Sequence, residues 1–211
     1  KDAIVRMGGQ PEARHKDEAI ARQQFIAFLE LHIEQGPLLE SLSSNDKPVL
    51  GLVTDLVGIT RLQITLSGQS NHSGTTPMHM RQDALITAAH LIVEVEKIAQ
   101  SLANMGEGHF VATVGKIDNF PNSINVVPGR TELFIDLRTT NTHLKQFFKK
   151  RLADFLETLQ ISHQVRTITD TSPVKFNEDL LSTMEKIAKN RTFITKRLAS
   201  GAGHDAAFMA Q

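Results

Sequence analysis

The sequence predicts an α/β fold interrupted by an inserted α+β segment. Three observations carry that expectation. Apolar runs at 25–33 and 49–57 read as strands of a buried sheet. From Gly58 the pattern changes to alternating strands separated by two long amphipathic helices. After residue 172 a helix, a strand and a Gly-rich turn resume the first style. The expected division is 1–57 with 173–211 for the α/β portion and 58–172 for the insertion.

Residues 14–24 are polar with scattered Ala and read as a short surface helix. Phe25 to Ile33 is too apolar for a one-sided strand and predicts one buried on both faces, stopped by Gly36 and Pro37. Val49 to Val57 is a second strand. Arg61 to Ser67 alternates, with Leu62, Ile64 and Leu66 on one face, as in a half-exposed strand. A polar loop leads to a helix over about 81–105, its stripe running through Leu85, Ala88, Ile92, Val95, Ala99 and Leu102. Strands follow at 110–117 and 130–138, then a helix over about 142–159 with Leu144, Phe148, Leu152 and Phe155 in its stripe, then a strand at 164–169. The order from 59 to 170 is β-α-β-β-α-β, the ferredoxin-like arrangement of an antiparallel sheet with two helices on one face. A helix near 180–189, a strand near 193–198 and the turn from Ser200 to Ala206 complete the chain.

Composition removes several function classes. Lys and Arg number 23 and so do Asp and Glu, so a net charge of zero gives no electrostatic reason for nucleic acid or an anionic membrane as partner. No apolar run reaches the ~18–20 residues of a membrane span. The first ten residues lack the apolar core of a signal peptide. With no Cys there are no disulfides, thiolate metal sites or Cys nucleophile, and the default location is cytoplasmic. A first residue other than Met and an end at Phe208-Met209-Ala210-Gln211 point to an internal piece of a longer protein.

Four segments carry chemistry. His32 sits at the carboxyl end of an expected buried strand, where it is either a metal ligand or a hydrogen-bonded strand terminus. The loop Ser70 to Pro77 either presents His72 as a donor to a developing oxyanion or is a plain connecting turn. Arg138 either forks onto a substrate carboxylate, with Asn125 beside it, or pairs with Asp136, which shares its strand face. The turn Ser200-Gly201-Ala202-Gly203-His204-Asp205 offers backbone amides to an anion. It is not a Ser-His-Asp triad, since adjacent His204 and Asp205 cannot adopt base-and-orienter geometry. Residues 15, 79, 90, 109, 143 and 163, the other histidines, read as ordinary surface or core residues.

Read together and in order, Glu30 to Pro37, Ser70 to Pro77 with Arg81-Gln82-Asp83-Ala84, Pro121 to Gly129 with Asp136-Leu137-Arg138, and Ser200 to Ala206 resemble the hydantoinase/carbamoylase family. These are dinuclear-metal amidohydrolases, including N-carbamoyl-L-amino acid hydrolases, allantoate amidohydrolases and β-ureidopropionases. The resemblance implies that 58–172 is a lid and dimerisation domain within a metallohydrolase catalytic domain. It implies His32 as a metal ligand, and Gln35, Asn125 and Arg138 as substrate contacts. It implies His72 as an oxyanion stabiliser reaching across a homodimer, and His204 as an active-site histidine near the substrate. The cofactor implied is a pair of divalent ions (Zn, Mn, Co or Ni), which lower the pKa of a bridging water and polarise the scissile carbonyl. The family's other ligands and its Glu base have no counterpart here, so an incomplete metal site is expected and these residues alone are not expected to turn over substrate. The partner implied is a small ureido or carbamoyl carboxylate. Two other readings remain: a non-catalytic dimerisation or binding module, and an aminoacylase or dipeptidase activity.

Overall fold

The structure is a computed structural model describing residues 5–8, 26–42 and 49–210. The helix expected at 14–24 lies outside the described residues.

Three strands form a first sheet. β1 (Val49–Leu56) is central, parallel to β9 (Ile194–Ser200) on one side and antiparallel to the short β8 (Val174–Lys175) on the other. α1 (Leu38–Leu42) and α4 (Glu178–Asn190) pack against β1. Leu52 and Leu56 of β1 and Leu181 and Ala188 of α4 are buried in this lobe.

A second sheet of four antiparallel strands runs in the order β4-β6-β2-β7: Phe110–Phe120, Arg130–Thr139, Gly58–Ser67 and Ser162–Asp170. The element order across 58–170 is the alternation expected, and β2 and β7 are direct neighbours. Leu62, Ile64 and Leu66 on β2 and Leu133, Ile135 and Leu137 on β6 form one apolar face. Two helices cover it. α2 (Ala84–Ala103) buries Ala88, Leu91, Val95, Ile98 and Leu102, and α3 (Thr142–Leu156) buries Leu144, Phe148, Leu152 and Leu156. Both helices start where a side chain caps free backbone N–H groups: Asp83 accepts from Leu85 and Ile86, Asn141 from His143 and Leu144. α3 stops short of residue 159 because Thr158 donates its hydroxyl to the Phe155 carbonyl at 2.6 Å, and the amides of Thr158 and Leu159 close i−3 bonds.

The chain passes between the lobes twice at one spot. Ile59 and Thr171 exchange hydrogen bonds there. A Cβ on Gly58 would lie 2.6 Å from the Thr171 carbonyl oxygen, so only glycine fits between the two passages. Beside them Asp170 accepts from Thr60, Lys145 and Lys149 at 3.0, 2.8 and 2.7 Å. The two ammonium groups hold its carboxyl well below the usual carboxylate range.

One expectation is corrected. Residues 26–35 are not a strand buried on both faces: they carry no regular structure, and Leu31 and Ile33 are 92% and 74% exposed. Apolar periodicity reports which faces want burial, not whether a strand lies alongside to bond. Among the described residues none does.

Candidate active-site cleft

The segment 26–39, α4, the exposed side of β1 and the turn after β9 enclose a cleft of about 1380 Å³. It runs along the first half of β1 and reaches the carboxyl end of β9, the end of a parallel strand at which open α/β sheets bind ligands. His32 and His204 meet here, their rings stacked at 4.6 Å and 13° from parallel. His32 donates from Nδ1 to the Ile33 carbonyl at 2.6 Å, which leaves Nε2 as its lone-pair atom. His204 shares a 2.8 Å hydrogen bond from Nε2 with Ser200 Oγ. Burial, and then the neighbouring His32, push the His204 imidazole below its ordinary pKa, so it favours the neutral form.

Glu30 joins this group. It accepts from the Ala206 N–H at 2.7 Å, at the start of α5 (Ala206–Met209), and that bond is the main cause of its lowered pKa. Glu34 is spent on structure, accepting from Leu38 and Leu39 at the start of α1. Gln35 follows with a positive φ of 55°, a conformation non-glycine residues adopt at a cost, and its side chain lines the cleft.

Arg138 enters from the four-stranded lobe. Its Nε and Nη2 bind Asp136 at 2.7 and 3.3 Å, and its Nη1 donates 2.7 Å to the Gly201 carbonyl. The Asp136 pairing weighed from the sequence is therefore present, together with a bond between lobes that sequence spacing did not suggest. Arg61 also binds Asp136 at 2.9 Å, and the two guanidinium groups, Arg138 foremost, hold that carboxyl down. Three of the five guanidinium N–H groups of Arg138 are engaged, leaving two.

His72 and Asn125 lie elsewhere. β3 (Asn71–His72) pairs with β5 (Val126–Val127), and Ser73 donates to the Asn125 carbonyl at 2.9 Å. Arg81 braces the loop through the Thr76 and Ser73 carbonyls at 3.1 and 2.6 Å. Gly74 N–H donates to His72 Nδ1 at 3.1 Å. A backbone amide can only donate, so Nδ1 accepts and the ring N–H sits on Nε2, facing solvent. This pair stands beyond the Arg130 end of β6, whereas Arg138 is at the other end, roughly 26 Å away at ~3.3 Å per residue. Within one chain, then, Asn125 is beside His72 and not beside Arg138.

A family model described as the peptidase dimerisation domain matches residues 54–164. The N-carbamoyl-L-amino-acid amidohydrolase of Paenarthrobacter aurescens is 35% identical over 189 residues, 88% of this chain and 44% of that protein. The allantoate amidohydrolase of Escherichia coli (strain K12) is 36% identical over 194 residues, 90% of this chain and 45% of that protein. A crystal structure of a hydantoinase/carbamoylase family amidase from Burkholderia multivorans superimposes with a TM-score of 0.76 at 33% identity, covering 86% of this chain and 43% of that one. The chain belongs to the peptidase dimerisation domain family, in its hydantoinase/carbamoylase branch. It spans a little under half the length of the curated relatives it matches.

Hydantoinase/carbamoylase membership sets the question of a metal. Among the described residues no three His, Asp or Glu side chains converge to hold an ion. His32, with Nδ1 anchored on a carbonyl and Nε2 open, has the form of one ligand, but one imidazole is not a centre. Sequence reasoning also passed over His109 and Glu30, which face the same cleft. His109 belongs to no motif and Glu30 only opens the segment Glu30 to Pro37 with no role of its own; the register of β4 against β6 and the fold of residue 30 onto α5 bring them in.

Proposed function

We propose that the whole enzyme hydrolyses a linear C–N amide bond in an N-carbamoyl amino acid or a ureido acid such as allantoate. The observation that supports it most is that Arg138, bonded to Gly201, lines the same cleft as the stacked His32–His204 pair. A cation on the wall of a cleft that also holds two imidazoles suits a small carboxylate whose amide end lies against the histidines. The named activities of the relatives act on substrates of that kind.

In this reading 58–172 is a lid and dimerisation domain, and 1–57 with 173–211 belong to the catalytic domain. Arg138 orients the substrate by its carboxylate with its remaining N–H groups, and Gln35, which lines the same cleft, contacts the substrate. His72 stabilises the tetrahedral oxyanion with Nε2–H, and Asn125 adds an amide beside it. Because His72 and Asn125 are ~26 Å from Arg138 along β6, they serve the site of a second copy in a homodimer. His204, neutral and tethered by Ser200, contacts the reacting group. The described residues bind and orient; His32 contributes one ligand to a metal centre that other residues must complete.

A substrate panel on the full-length enzyme tests this. Turnover of N-carbamoyl amino acids or allantoate, with loss of about 10- to 100-fold in kcat/KM for Arg138→Lys, is expected. Turnover of carboxylate substrates unaffected by Arg138→Lys would remove Arg138 from the site.

A further inference from the structure

His109 lies at the entry to β4, and its backbone is fixed by two hydrogen bonds with Thr140: its N–H donates to Oγ1 at 3.0 Å, and its carbonyl accepts from the Thr140 N–H at 3.1 Å. Phe110 points into the core, so alternation puts His109 on the same sheet face as Val111, which pairs with Arg138. His109 and Arg138 reach the same residue of the other lobe. Arg138 Nη1 binds the Gly201 carbonyl, and His109 Nε2 is 3.7 Å from where a Cβ on Gly201 would stand.

Gly201 does not have the positive φ that would demand glycine. A Cβ here would meet only the His109 ring, so the missing side chain leaves the His109 side of the turn open. The His109 ring makes no hydrogen bond to any described residue and is half-buried at the cleft wall. Burial lowers its pKa, so at neutral pH it is an uncharged ring with one N–H donor uncommitted. Beside it, Arg138 has already given three N–H groups to Asp136 and Gly201.

We propose that His109 is a specificity-determining residue: its imidazole donates a hydrogen bond to the substrate carboxylate that Arg138 holds, across the bare Cα of Gly201. This rests on the carboxylate reading of Arg138. The guanidinium supplies the charge, and the imidazole supplies a second donor at a fixed angle, which selects a planar two-oxygen head group.

The test compares N-carbamoylglycine with N-carbamoylglycinamide, which keeps the scissile bond and lacks the carboxylate, in the full-length enzyme. His109→Phe keeps the ring shape and loses the donor; His109→Gln keeps a neutral donor. For N-carbamoylglycine, His109→Phe should raise KM about 10-fold with kcat nearly unchanged, the loss of one hydrogen bond to a charged group. KM for the glycinamide should not move, and His109→Gln should recover most of the loss. An unchanged KM in His109→Phe, or equal loss on both substrates, overturns the proposal. Arg138→Lys separates the failures. If it erases the preference for carboxylate while the His109 variants do not, only His109 is excluded. If Arg138→Lys keeps the preference, the carboxylate reading fails and His109 with it.

Discussion

The useful proton of His72 is placed by one backbone amide. Because Gly74 N–H occupies Nδ1, the side chain can offer only Nε2–H outward, the state an oxyanion requires. Removing it in the full-length enzyme, by His72→Ala, should lower kcat by about 10²–10³-fold. The melting temperature should stay near wild type, since the side chain is exposed. Full activity in that variant would make the loop 70–77 a plain connection. Little of this was legible beforehand. The sequence places His72 in a compact polar loop, but the tautomer depends on a 3.1 Å contact two residues away. The two outcomes weighed for Arg138 proved not to be alternatives, because a guanidinium has enough donors for Asp136, Gly201 and a ligand.

At the level of elements, caps and apolar stripes did most of the specifying. Asp83→Ala removes an acceptor from the Leu85 and Ile86 amides and should cost about 0.5–2 kcal/mol by denaturant titration. Leu133→Ala, at a position with no exposed surface between sheet and helices, should cost about 3–5 kcal/mol. A cost under ~1 kcal/mol at Leu133 would mean the sheet does not pack on α2 and α3 as described. Strands β2 and β6 and helices α2 and α3 were readable because each buries one face and so alternates or repeats cleanly. The two-residue strands β3, β5 and β8 were not, since so short a ladder leaves no period. The run 26–33 misled for the opposite reason: its apolar character is real, yet no described strand pairs with it.

Across the whole molecule, charge ties β7 to α3 beside the junction of the lobes. Lys145 is buried and Asp170 is its counter-ion, so Asp170→Asn leaves an ammonium facing a neutral amide and should cost about 1–3 kcal/mol. The folded pKa of Asp170 is depressed, so its contribution is complete above the ordinary carboxylate pKa of 3.8 and is lost as pH falls below it. Melting temperature should therefore drop on acidification below about pH 4, and less steeply in Asp170→Asn. A slope identical in the two proteins would remove this pair from the acid response. The separation of His72 and Asn125 from Arg138 along β6 has a larger consequence: under the proposed roles, one complete site takes residues from two copies. Mixing and reassociating inactive His72→Ala and Arg138→Ala subunits of the full-length enzyme tests this most directly. If the site is shared, half the reassembled dimers are mixed and each has one intact site, so activity should return to about a quarter of wild type. No recovery, with mixed dimers shown to form, would place both residues in the site of a single chain and contradict the shared cleft.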